Sequence, residues 1–175
     1  YMFFIQMSGF PGSGKSTLAI EVASRMDCII IDHDVTKSAI LNSNGEGAID
    51  SKIAGKIAYN VDFALIDFYL SMGKNVILDS PCLYDEIIDQ GTEISDKYDA
   101  NYKYIECYLD DFDEINRRLK KRKTLISQIS EVKSSETFYM ALKNSKKPQN
   151  YKYISVNSGK PVDTYINEVI NYINN

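Results

Sequence analysis

The chain has 175 residues, a formal net charge of −4 and a pI of about 5.1, with 44% hydrophobic and 25% charged residues. That length and mix suit one domain, residues 1–175, with a full core. The acidic balance argues against a general nucleic-acid binder, which needs a basic face to neutralise phosphates. No apolar run reaches the roughly 20 residues of a membrane span, so no membrane partner is expected.

Strand-like and helix-like segments alternate in chain order. Tyr1 ahead of Met2 is expected to be an added residue, and Met2–Ser8, short and without a basic leader, reads as a first strand. Lys15–Met26 reads as a helix, Cys28–Ile31 as a buried strand and Val35–Leu41 as the start of another helix. Residues 42–47 (Asn-Ser-Asn-Gly-Glu-Gly) form a loop. A long helix follows, with Ile53, Ile57, Val61, Leu65 and Phe68 recurring every three or four residues, and it stops near Gly73. Asn75–Leu78 is a second buried strand, and Tyr84–Tyr98 is helical despite Gly91. Tyr104–Leu109 is a strand and Phe112–Arg122 a helix. Lys123–Ser135 is ambiguous, Glu136–Lys143 helical, Tyr153–Val156 the last strand and Val162–Ile173 the last helix. Continuous apolar strands alternating with helices imply an α/β fold: a five-stranded parallel sheet with helices on both faces.

Cys28, Cys82 and Cys107 are far apart and His33 is the single histidine, so no metal-ligand spacing is present. Free thiols point to a reducing, cytoplasmic setting. Cys28 and Cys107 read as small core residues, while Cys82, after a strand end, is a candidate lining residue.

The chemistry begins at Gly9-Phe10-Pro11-Gly12-Ser13-Gly14-Lys15-Ser16, which matches G-x-x-x-x-G-K-[ST]. Glycines at this spacing let successive backbone N–H groups turn inward onto phosphate oxygens, and the following helix adds its positive end. Gly9, Gly12, Ser13 and Gly14 are therefore nucleotide-binding candidates. Lys15 reaches the β and γ phosphates and Ser16 ligates Mg²⁺. A strand before the loop and a helix after it supply the context that the motif requires.

No Asn-Lys-x-Asp guanine-reading motif is present, so ATP is favoured over GTP, with Asn157–Pro161 as the expected nucleobase neighbour. Asp32 and Asp34 follow the second strand and, in an extended stretch, project to one side. One of them is expected to accept the proton of an attacking hydroxyl, with Asp34 favoured and helix capping as the alternative role. Val76-Ile77-Leu78-Asp79 has the form of a Walker B strand, which makes Asp79 a candidate for the metal or the substrate. Arg118 and Arg122 share a helix face and are candidate lid residues that neutralise charge on the γ-phosphate. His33 reads as structural or solvent-facing.

Gly9–Thr17, Asp34-Val35-Thr36-Lys37, Asp79 and Arg118-Leu119-Lys120-Lys121-Arg122 together resemble the small P-loop kinases. That group includes the kinase domain of polynucleotide 5′-kinases, gluconate kinases, chloramphenicol phosphotransferase and zeta-toxin-type kinases. Leu125-Ile126-Ser127-Gln128 is similar to the Ser-Gln segment after the lid of gluconate kinases. The resemblance implies a P-loop NTPase three-layer sandwich of adenylate-kinase type with a lid-like segment around 118–135. It also implies Mg-ATP as donor, Thr17 within the nucleotide site and Asp34 as base. Lys37 stands where polynucleotide kinases carry the Arg of Asp-x-x-Arg. It keeps the charge but loses bidentate geometry, so a nucleic-acid acceptor is not favoured. The expected activity is transfer of the ATP γ-phosphate to a hydroxyl of a small molecule, by a monomer or homodimer. The acceptor is expected between Asp34, Lys37, the 42–48 loop and the Ser80–Tyr84 turn. An ATP-hydrolysing regulatory switch and a polynucleotide 5′-hydroxyl kinase are the alternatives.

Overall fold

A computed structural model describes residues 1–43, 45 and 47–175, and Asn44 and Glu46 of the 42–47 loop lie outside the described residues. The strands are β1 (Phe3–Ser8), β2 (Cys28–Asp32), β3 (Asn75–Asp79), β4 (Asn101–Tyr108) and β5 (Tyr153–Asn157). The helices are α1 (Lys15–Met26), α2 (His33–Asn42), α3 (Ser51–Ser71), α4 (Asp85–Lys97), α5 (Phe112–Lys121), α6 (Ser135–Lys143) and α7 (Ile166–Asn174). A short 3₁₀ turn, Val162–Thr164, precedes α7 and replaces the first turn of the expected last helix.

The five strands form one parallel sheet, as the alternation of elements predicts, and the structure gives their order as β2-β3-β1-β4-β5. The central strand β1 is buried along its whole length, and its side chains alternate between two cores. Phe3, Ile5 and Met7 meet Leu18, Ala19 and Val22 of α1 and Ile166, Val169 and Ile173 of α7. Phe4 meets Ile66 and Leu70 of α3 and Ile87 and Ile88 of α4. Helices thus cover both faces, giving the three-layer arrangement. Leu109, Ile115, Leu119 and Phe138 build a third cluster, which packs α5 and α6 near the glycine loop at Phe10.

The long helix α3 departs from its sequence pattern. Ile53, Ile57, Val61, Leu65 and Phe68 lie on its outer face, each between 39% and 56% exposed. The buried stripe is Ala54, Ala58, Asp62, Ile66 and Leu70. Ile66 and Leu70 reach the core against the sheet, while Ala54 and Ala58 are buried nearer the start of the helix. The helix α2 begins at His33, two residues earlier than expected, because Asp32 caps it: its carboxylate accepts from the backbone N–H of Asp34 (2.9 Å) and Val35 (3.2 Å).

Gly91 is required by packing. A Cβ there would lie 2.5 Å from Gln6 Oε1, 3.0 Å from Tyr102 Cε2 and 3.1 Å from Phe4 Cε1. Alanine normally gains about 1 kcal/mol over glycine inside a helix. At this site the clash outweighs that gain, and Gly91→Ala is expected to destabilise by about 1–3 kcal/mol in urea unfolding. A stabilised Gly91→Ala would refute the packing account.

Candidate active site

Parallel sheets bind ligands beyond the carboxyl ends of their strands, where neighbouring connections diverge. Here β1 lies between β3 and β4, and a cleft of about 1440 Å³ opens beyond the β1, β2 and β3 ends. The turn after β1 is the glycine loop. Gly14 takes φ 100 at the N-cap of α1, a conformation that suits a residue without Cβ. Gly9 admits the Cys107 carbonyl where a Cβ would collide with it. Gly12, Gly14, Lys15, Ser16 and Thr17 line the cleft, while Ser13 is buried behind it. Lys15 Nζ folds back onto the carbonyls of Gly9 (2.8 Å) and Phe10 (3.2 Å). Burial holds its ammonium below the ordinary lysine range, opposed chiefly by the charge of Asp79.

The strand register sets Asp32 beside Asp79 at the ends of β2 and β3. Burial raises the Asp79 carboxyl above the usual range, offset by Lys15 and by a hydrogen bond from Ser16. Burial also raises Asp32, and the charges of Asp79 and Asp34 push it the same way. The charges of Asp32, Asp34 and Asp79 act on one another, with Lys15 and Arg122 as the nearby cations. Among the described residues no group of three His, Cys, Asp or Glu side chains could hold a metal by itself. Mg²⁺ in nucleotide sites uses one or two carboxylates, waters and the phosphates, so Ser16 with Asp79 fits it.

Asp32 and Asp34 do not project together from an extended stretch. Asp32 ends β2 and caps, whereas Asp34 is in the first turn of α2. The Asp34 Oδ2 accepts from Gln128 Nε2 (2.8 Å), and its carbonyl accepts from Ser127 Oγ (3.0 Å). Ser127 N–H also donates to Ser38 Oγ (3.2 Å). The 123–134 segment, ambiguous in sequence, is therefore closed onto α2.

The two arginines separate. Arg118 on α5 donates to the carbonyl of Ser158 (2.9 Å) and to Glu114 (2.7 Å), and lies against the Cβ position of Gly14. It bridges the glycine loop and the Asn157–Pro161 segment, of which Ser158 and Lys160 line the cleft. Arg122, the C-cap of α5, donates from Nη2 to the Ile129 carbonyl (2.9 Å), and its Nε is buried without a partner. It feels the charge of Asp34, and its own charge acts on Lys15.

The remaining half of the cleft carries Lys37, Ser80, Pro81, Leu83 and Tyr84. The described residues of the 42–48 loop do not line it, and the start of α3 stands there instead, with Lys52, Lys56 and Tyr59. These lie three or four residues apart with Gly55, against which the Lys37 stem rests, so one helix face makes the wall. Cys82 is buried outside the cleft, accepting from Gln6 Nε2, and burial pushes its thiol up to about 11. His33 is not solvent-facing. It is 5% exposed and bonds the fully buried Asp62, a pairing across 29 residues that no local pattern signals.

A family model described as an AAA domain matches residues 4–145. No curated protein matches the chain in sequence. Among solved structures, a candidate kinase from Chloroflexus aurantiacus is 16% identical with a TM-score of 0.78, covering 98% of each chain. A gluconokinase from Sinorhizobium meliloti is 15% identical with a TM-score of 0.62, covering 98% of this chain and 91% of that one. Kti12 of Chaetomium thermophilum, in complex with ADP-AlF3, is 14% identical with a TM-score of 0.67, covering 97% of this chain and 98% of that one. At these identities the likeness shows a shared fold, that of the small P-loop kinases.

Proposed function

We infer that this chain, which belongs to the AAA-domain family, is an ATP-dependent kinase that phosphorylates a hydroxyl of a small molecule. The observation that carries this reading is the position of Asp34. It is free of the capping role, lines the same cleft as the glycine loop, and its charge reaches both Lys15 and Arg122. A nucleotide switch needs the loop and no such carboxylate. The gluconokinase and the candidate kinase, as named, are consistent with the kinase reading.

ATP would lie with its phosphates on the N–H groups of Gly12–Thr17 and its base toward Ser158–Lys160. When bound at Ser16 and Asp79, Mg²⁺ supplies positive charge to the phosphate oxygens. Asp34 accepts the proton of the acceptor hydroxyl as that oxygen bonds to the γ-phosphorus and the bond to the β-phosphate oxygen breaks, releasing ADP. Lys15 and Arg122 hold the charge that spreads over the transferring group. Residues 118–135 act as the lid, with Gln128 holding the Asp34 carboxylate and Lys37 reaching for the acceptor.

The test is a screen with γ-labelled ATP against sugars, sugar acids, nucleosides, aminoglycosides, chloramphenicol and 5′-hydroxyl oligonucleotides. A labelled small-molecule ester is expected. ATP hydrolysis that no acceptor alters would favour the switch, and label confined to oligonucleotides the polynucleotide kinase.

The arginines give a sharper expectation. Arg122→Ala should lower kcat about a hundredfold, the loss typical of one transition-state donor. Arg118→Ala should raise the KM for ATP by about tenfold and change kcat little, since it touches loop and base segment. Steady-state kinetics on both variants decide this, and equal, negligible effects would reduce the pair to a solvated helix end.

A further inference from the structure

The His33 imidazole sits within a built hydrogen-bonded cluster that the proposed phosphoryl transfer leaves unused. Its Nδ1 is 2.7 Å from Asp62 Oδ2, and Asp62 is fully buried. Thr36 Oγ1 donates to the other oxygen, Asp62 Oδ1, at 2.6 Å. Tyr59 stacks on the ring with centroids 3.8 Å apart and planes 19° apart. Ring plane and ring rotation are therefore both determined, by groups on α2 and α3. Asp62 already accepts from Thr36, and in the tautomer whose Nδ1–H donates to its second oxygen the imidazole presents its lone pair at Nε2. Among the described residues Nε2 has no protein partner, yet it is not among the polar atoms sealed from solvent. His33 lines the cleft and directly precedes Asp34 in the first turn of α2.

We propose that His33 is an acceptor-binding residue whose Nε2 takes a hydrogen bond from a second hydroxyl of the molecule phosphorylated at Asp34, so that the acceptor is a polyol. This rests on the kinase reading. A buried carboxylate aligning an imidazole is costly to maintain in a core. Its effect is to present one directional acceptor atom beside the base, which rejects molecules lacking the matching donor.

His33 is the single histidine of the chain, so its signals need no assignment. A long-range ¹H–¹⁵N spectrum of the full chain, labelled at histidine and taken near pH 8.5, is expected to show the Nδ1–H tautomer. The Nε2–H tautomer overturns the proposal, whatever the protein's activity. Kinetics then test the contact, using the acceptor found by the γ-labelled ATP screen. His33→Ala should raise the acceptor KM about tenfold or more with the KM for ATP unchanged. His33→Gln, whose amide oxygen can take the Nε2 place, should recover part of that loss. Asp62→Asn, which leaves the imidazole but frees its orientation, should fall between. The acceptor's deoxy analogue should be poor with the parent protein and no worse with His33→Ala. An unchanged acceptor KM in both His33 variants overturns the proposal while the kinase stands. If the parent phosphorylates no acceptor at all, the kinase reading fails and the polyol site with it.

Discussion

Asp34→Asn is expected to bind Mg-ATP as tightly as the parent protein and to lose phosphoryl transfer by on the order of a hundredfold or more. The substitution keeps shape and removes charge and proton-accepting ability. An asparagine oxygen can still accept from Gln128 Nε2, so the closed 123–134 segment is retained. The cap of α2 is unaffected, because Asp32 supplies it. Nucleotide affinity should hold or improve, since one negative charge leaves the surroundings of the γ-phosphate. Calorimetry with Mg-ATP and the transfer rate with the screened acceptor form the paired measurement. Asp32→Asn makes the contrast: an asparagine oxygen can still accept from the Asp34 and Val35 N–H groups, so the α2 cap and the stability should hold, and the loss of transfer should be milder. Normal transfer by Asp34→Asn would remove it as the base and direct attention to Asp32.

The second large effect belongs to Lys15. Lys15→Ala is expected to abolish measurable transfer and to weaken ATP binding at least tenfold. The ammonium is buried against the Gly9 and Phe10 carbonyls and held below its ordinary pKa by that burial. Without nucleotide it is a desolvated charge, so its removal should leave thermal stability nearly unchanged. With nucleotide the position changes. A ligand at a hundred times its Kd adds about 2.7 kcal/mol to stability. The parent should therefore show a clear rise in Tm with Mg-ATP, and Lys15→Ala should show little or none at the same concentration. A variant that bound Mg-ATP and turned over like the parent would refute the assignment of the loop.

The sequence by itself determined what depends on neighbouring residues. Gly9–Ser16 was readable because a phosphate loop is a local backbone conformation, set by where glycines stand. The parallel sheet was readable because strands buried on both faces are mostly apolar, and β1 is buried at every position with four apolar residues of six. Contact across the chain decided the rest. Asp32 and Asp34 look equivalent in sequence and both line the cleft, but the bend from β2 into α2 makes Asp32 a cap and leaves Asp34 free of that role. Arg118 and Arg122 share a helix face, yet they divide between the Ser158 carbonyl and the surroundings of Asp34 because α5 ends between them. On α3 the spacing of Ile53, Ile57, Val61, Leu65 and Phe68 marked the helix, but only the docked structure shows that its buried face is Ala54, Ala58, Asp62, Ile66 and Leu70. His33 with Asp62, and Gln128 with Asp34, join residues 29 and 94 apart. Such pairs leave no periodic trace, because the partner's place is set by how helices dock on the sheet.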